Sequence, residues 1–170
     1  MSHFMEISPY QINDNTFELI GRDWALVTAG TKENFNTMTI SWGGMGIMWN
    51  NPVAFTFIRP QRYTYEYLEK GELMSLCFFD DSFRKALSYC GSHSGRDVDK
   101  VKETGLTPAF TDDGVPYFEE ARLVLICKKI LWDDIDPQKI VDPADEAKVY
   151  PLKDCHRVYV GEIVEAWQED

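Results

Sequence analysis

Six short runs of the chain either alternate polar with apolar residues or are apolar almost throughout. They are WALVTA from Trp24, TMTISW from Thr37, VAFTFI from Val53, LMSLCFF from Leu73, RLVLICKKILW from Arg122 and RVYVGEIVEAW from Arg157. All are rich in Val, Ile, Phe and Thr, which pack well on a pleated surface, so each predicts a β-strand. Six strands of this kind suggest a closed or nearly closed antiparallel barrel. Between them lie short segments with readable helix ends. Thr64 is a candidate N-cap with Gly71 as the stop, and Asp80 or Asp81 a cap with Gly91 as terminator. Asp97 and Gly105 bracket a third helix, and Asp142 precedes Pro143 at the start of a fourth. None is long enough to form its own layer. The expected fold is mainly β, a barrel with helices on its outside and ends, in one domain over residues 1–170.

Charge narrows the range of partners. A net charge of -11 argues against nucleic acid, whose phosphates need a basic face, and against anionic membranes. An acidic total still permits a local basic pocket, so Arg59 and Arg62 stand out from their surroundings. No apolar run approaches the roughly 20 residues of a spanning helix. The opening MSHFMEISPY has no cationic leader before an apolar core, so a cytoplasmic location is expected. Cys77, Cys90, Cys127 and Cys155 form no C-x-x-C and read as free thiols of a reducing compartment. His3, His93 and His156 show no zinc-ligand spacing, and no metal site is expected.

The candidate chemistry begins at NTMTISWGG, Asn36 to Gly44. Alternation along a strand puts Thr37, Thr39 and Ser41 on one face and Met38, Ile40 and Trp42 on the other. A row of small hydroxyl side chains leaves the backbone accessible to a flat ligand. Gly43, Gly44 and Gly46 then let the chain turn and bring its N–H groups close. A flavin ring suits this arrangement, because its pyrimidine edge matches main-chain donors and acceptors. A hydroxyl-bearing exterior strand followed by a glycine turn is the plainer alternative.

RPQRYT, Arg59 to Thr64, adds a second element. Arg62 supplies a planar five-donor cation just before a helix start, which is a competent phosphate site. The alternative is an exposed Arg62 that pairs with Glu66. In SHSGRDVDK, Ser94 and Gly95 form a turn, and Lys100 falls where its ammonium can reach the same phosphate. Otherwise Lys100 is a solvated lysine paired with Asp97 or Glu103.

In this order, NTMTISWGG, PVAFTFIRPQRYT, SGRDVDK and CHRVYVGEIV resemble the flavin reductase family of FMN-binding split barrels, particularly its flavoredoxin-like members. The resemblance runs from about Trp24 to about Val164. It implies a six-stranded split barrel that forms a homodimer, with a flavin near the subunit interface. It also implies FMN as cofactor, with FAD an option, and NADH or NADPH as electron donor. By the same resemblance Asn36, Thr37, Met38, Thr39 and Ser41 line the isoalloxazine ring. Arg62, Tyr63, Thr64, Ser94 and Lys100 contact the phosphate and ribityl chain. His156 is similar to the histidine that the family places near flavin and nicotinamide, and is the candidate catalytic residue. Here Asp154 and Cys155 precede it, where the family often has G-D, and Val101 follows D-K, where Phe is usual.

With a flavin bound, the cofactor would carry the redox chemistry, and no nucleophile or triad is needed. There is no G-x-G-x-x-G after a strand, so a nicotinamide would bind without a dinucleotide fold. A flavin oxidoreductase that uses NAD(P)H, or passes electrons from reduced flavin to a small-molecule or protein acceptor, is the favoured reading. The alternatives are a flavoredoxin-type electron carrier without NAD(P)H activity and a non-catalytic ligand-binding barrel. Trp49, Trp132, Trp167 and the tyrosines could wall a substrate slot or serve as packing.

Overall fold

The computed structural model of the chain describes residues 3–170; the first two residues of MSHFMEISPY lie outside the described residues. In chain order the elements are β1 (Phe4–Ile7), α1 (Thr16–Glu18), β2 (Ala25–Gly30), β3 (Phe35–Ile40), β4 (Gly43–Met48), β5 (Asn51–Ile58) and α2 (Tyr63–Lys70). Then follow β6 (Leu73–Phe78), α3 (Arg84–Ser92), α4 (Lys100–Thr104), β7 (Pro108–Phe110), β8 (Pro116–Phe118), β9 (Leu123–Asp134), α5 (Pro143–Val149) and β10 (Arg157–Glu169). No helix among the described residues is long and apolar enough to cross a membrane.

The main sheet is antiparallel with the order β3-β2-β6-β9-β10-β5-β4, and β1 pairs with β10. The six expected strands are the contiguous run from β3 to β5 in that order. The sheet curls until β3 and β5 touch, yet β3 and β4 end the order without pairing. The barrel is therefore split along that seam. Its curvature concentrates in the long β9–β10 ribbon, whose register shifts between Val160 and Gly161 and again between Ile163 and Glu165. Such bulges bend a strand and sharpen its twist. Gly161 is needed there, since a Cβ would lie 2.8 Å from that of Cys127.

Both faces of the central strands are covered. Alternate residues Ala25, Val27, Met38, Met74, Leu76, Phe78, Leu123 and Leu125 fill the barrel, joined by Leu19 and Ile20 after α1 and by Tyr67 and Leu68 of α2. The intervening residues Leu26, Cys77, Val124 and Ile126 face outward into a second core with Leu87 and Cys90 of α3 and Phe118 of β8. This two-sided burial explains why RLVLIC reads as a continuous apolar run rather than an alternating one. It also accounts for the burial of Cys77, Cys90 and Cys127; among the described residues the cysteines are free.

Five expectations change. The described residues form ten strands rather than six, because β1, β4 and the β7–β8 hairpin are too short or too glycine-rich to carry a periodic pattern. Gly43, Gly44 and Gly46 do not form a turn but pair along β4 with Thr56, Phe55 and Val53 of β5. The helix begins within RPQRYT at Tyr63 with Arg62 as cap, two residues before the expected Thr64 cap, because the Arg62 N–H closes a tight turn on Arg59 O at 3.0 Å. Asp99 rather than Asp97 caps α4, since the Asp97 and Val98 N–H groups are already bonded to Ser94 O. Gly91 lies inside α3, whereas Gly71, Gly105 and the Asp142–Pro143 start stand as expected.

Candidate functional site

Two cations meet at one main-chain carbonyl. Lys100 is only 5% exposed, and its Nζ donates to Cys90 O at 2.8 Å and to Thr37 O at 2.7 Å. Arg62 reaches the same Cys90 carbonyl through Nη2 at 3.4 Å. Neither forms an ion pair with a carboxylate among the described residues. Glu66, the alternative partner of Arg62, binds Arg96 instead, and Arg96 also lies over the Tyr63 ring, 4.6 Å from its centroid. Lys100 likewise does not pair with Asp97 or Glu103.

Burial lowers the pKa of both groups. Lys100 falls to about 8, chiefly from burial, against an upward pull from Cys90 and with a smaller lowering from the Arg62 charge. Arg62 is lowered by burial as well. A buried cation without a counter-charge is costly, because the dipoles of two carbonyls replace only part of its hydration. In a chain of net charge -11, buried Lys100 and half-buried Arg62 thus stand side by side without a carboxylate, a donor set with the chemistry to accept an anion.

β3 and α2 frame this place. Asn36 Nδ2 donates to Thr64 Oγ1 at 2.7 Å, with both residues buried. No side chain caps the N-terminus of α2, so the positive end of its dipole has no side-chain acceptor, although the Tyr65 N–H bonds back to Arg62 O at 3.1 Å. Gly95 presses against this junction: a Cβ would sit 2.0 Å from Asn36 Oδ1 and 3.1 Å from the Tyr63 ring. A cleft of about 600 Å³ opens here, and Asn36, Thr37, Tyr63, Gly95 and Lys100 line it. Glu33, Asp97 and Asp99 line it too, as does Arg96, which is paired with Glu66; Arg62 is not among the lining residues and approaches only through the Cys90 carbonyl.

The expected residues do not all converge. Thr37 is buried, bonded to the Thr28 hydroxyl at 2.8 Å and to Val27 O at 3.2 Å. The Thr39 hydroxyl donates to Leu87 O at 2.5 Å, so α3 covers this part of the hydroxyl row. The Met38 side chain points into the barrel core. Ser94 forms the turn before α4, its hydroxyl accepting from the Arg96 N–H at 3.2 Å. Ser41 lies at the far end of β3, in a separate cleft of about 640 Å³ with Phe17, Trp42 and Phe55. At roughly 3.3 Å per residue, Asn36 and Ser41 are about 17 Å apart along the strand.

His156 belongs to that far end. It is 8% exposed, packs against Trp42 with ring centroids 4.9 Å apart, and meets Tyr150 Oη through Nδ1 at 2.9 Å. Burial, then the Arg59 charge, push its pKa down to about 4, against an opposing effect of Asp154. The imidazole is thus neutral at physiological pH, which does not suit the proton exchange that an unperturbed histidine offers. Sequence reasoning singled out Arg59 without giving it a role, and missed Tyr150 and the Cys90 carbonyl. Arg59 had a signal, its place beside Arg62, but a main-chain acceptor has none.

Several solved structures share the fold. A flavoredoxin from Methanosarcina acetivorans is 23% identical with a TM-score of 0.68, covering 96% of this chain and 77% of that one. An FMN-binding domain of a flavin reductases-like enzyme from Shewanella baltica is 16% identical with a TM-score of 0.71, covering 98% and 77%. An NADH:FAD oxidoreductase from Streptomyces globisporus is 16% identical with a TM-score of 0.66, covering 86% and 75%. No curated protein matches the chain. The family described as the flavin reductase like domain matches residues 17–170, so the chain belongs to that family of split barrels.

Proposed function

We propose that this chain binds FMN and acts as a flavin-dependent oxidoreductase, between NAD(P)H and flavin or from reduced flavin to a second acceptor. The observation that carries the reading is the convergence of Lys100 and Arg62 on Cys90 O, without a carboxylate, at the Asn36 end of β3. The donor set fits the anionic end of a flavin nucleotide: an ammonium, a guanidinium and an uncapped helix start. When bound, the flavin supplies the hydride and electron chemistry.

The chain's own residues supply position. Lys100 and Arg62 hold the phosphate, Tyr63 lines the cleft beside it, and Ser94 shapes the turn that carries Gly95 there. Ser41, about 17 Å away along β3, belongs to a second cleft, and α3 covers the Thr39 hydroxyl between the two. Trp42 and Phe55 offer an apolar wall there. His156, neutral, offers a hydrogen bond rather than a charge. The uncharged edge strand β4, with Ile47 60% exposed and Trp49 beyond it 64% exposed, supports a homodimer that covers this side.

The test is to release any chromophore from purified protein and identify it by mass, then to measure NADH and NADPH consumption. FMN with turnover supports the oxidoreductase; FMN without turnover, but with relay from a separate reductase, supports the carrier reading. A colourless protein with no affinity for FMN rejects both.

A further inference from the structure

His156 is enclosed by groups that define how its ring is protonated. Its Nδ1 faces Tyr150 Oη at 2.9 Å, Trp42 lies against one side, and Phe57 meets it edge-on with centroids 6.4 Å apart. The phenol is itself fixed. Arg59, just past β5, places its guanidinium over the Tyr150 ring, 5.3 Å from the centroid. The same guanidinium donates to Val149 O at 3.2 Å and to Asp154 Oδ2 at 2.5 Å, and Gln61 donates to that oxygen at 2.7 Å. These contacts clamp the segment from α5 to β10 onto the end of β5. Among the described residues the charged groups that act on the imidazole are Arg59 and Asp154, and they are paired with each other.

The direction of the Tyr150–His156 bond follows from its surroundings. Burial raises the Tyr150 pKa, against the effect of the His156 main-chain N–H, so the phenol keeps its hydrogen at neutral pH. The phenol carries one O–H donor, and Nδ1 of the neutral imidazole lies 2.9 Å away to accept it. The Arg59 cation over the ring polarises the phenol further in that direction. With Nδ1 an acceptor and the imidazole neutral, the single ring proton sits on Nε2.

We propose that Tyr150 is a positioning residue that donates to Nδ1 and holds His156 as the neutral Nε2–H tautomer, a fixed hydrogen-bond donor at the Trp42 end of β3. What that donor serves rests on the flavin reading; the tautomer does not. A donor of this kind stabilises negative charge that develops on a bound reactant without exchanging its proton with solvent. The D-C-H sequence, where the resembling family often has G-D before the histidine, accompanies this arrangement: Asp154 is committed to Arg59 and Gln61.

The experiment records long-range proton–nitrogen spectra of protein labelled at histidine nitrogens, from pH 5.5 to 8, with His156→Asn used for assignment. The expected result is an unprotonated Nδ1 and a protonated Nε2 at every pH, and a mixture of tautomers in Tyr150→Phe. In flavin-loaded protein the same variant should lower kcat by about fivefold, the loss of one neutral hydrogen bond, with KM little changed. A wild-type Nδ1–H tautomer, or an imidazole that titrates near 6.5, overturns the proposal whether or not the variant folds. So does a Tyr150→Phe spectrum identical to wild type. The spectra need no flavin, so a protein that binds none yet shows the Nε2–H form supports the tautomer while rejecting the flavin reading.

Discussion

The Asn36 side-chain amide donates to the Thr64 hydroxyl at 2.7 Å, which ties the second residue of β3 to the first turn of α2. Both partners are buried, and the bond joins the strand that borders Lys100 to the helix whose cap is Arg62. Asn36→Ala leaves the Thr64 hydroxyl without its donor. A destabilisation of about 1–3 kcal/mol is expected in denaturant unfolding, together with weaker FMN binding. Unchanged stability would show that the two elements hold each other by packing alone.

Arg62→Ala should weaken FMN by about 10- to 100-fold while riboflavin loses little, since the charged hydrogen bond goes to the phosphate. Lys100→Met should act in the same direction, less strongly. Fluorescence titration with both flavins checks this. Equal losses for FMN and riboflavin would remove the phosphate from this site.

Lys100 makes that affinity depend on pH. Its pKa in the fold is about 8, below its ordinary 10.5, so the fold disfavours the charged form. Between those values the unfolded chain binds more protons than the native one, and ligand-free stability should rise with pH over that window. FMN should bind less tightly as pH rises through about 8, because Lys100 loses its charge there. In Lys100→Met both slopes should flatten; slopes that persist belong to another group.

Gly95→Ala tests the close approach at the mouth of the cleft. The new Cβ would fall 2.0 Å from Asn36 Oδ1, so Asn36 must move and the bond to Thr64 breaks. The expected cost is about 1–3 kcal/mol in denaturant unfolding, with FMN affinity reduced in parallel. Full FMN affinity in this variant would mean that Asn36 can yield without disturbing the site.

The β4–β5 hairpin is turned by Trp49 and Asn50, both with positive φ, 51° and 63°. This pair of conformations favours glycine at the second position. Asn50→Gly should therefore stabilise the fold by a few tenths to about 1 kcal/mol and leave flavin binding unchanged, as calorimetry and titration can show.

Much of the barrel was legible because its strands carry their own pattern. Val27, Met38 and Leu125 alternate with outward residues, and the two-sided burial of β9 shows as the run RLVLIC. β4 was not legible. GGMGIM has neither β-branched alternation nor bulk, and becomes a strand only because β5 supplies its ladder. Two helix starts shifted by two residues each, because competing turn bonds at Arg59 and Ser94 took the N–H groups first.

By itself the order of residues determined the six central strands, their wrapping into a barrel, and which side chains were chemically able to hold an anion. Those follow from local period and side-chain chemistry, which a chain carries before it folds. Only the tertiary structure decided that Arg96, not Arg62, takes Glu66, that Lys100 is buried against Thr37 and Cys90, and that Tyr150 meets His156. Each of those depends on burial and on acceptors brought from distant segments. Neither exists until the sheet has curled and α3, α4 and α5 have packed against it.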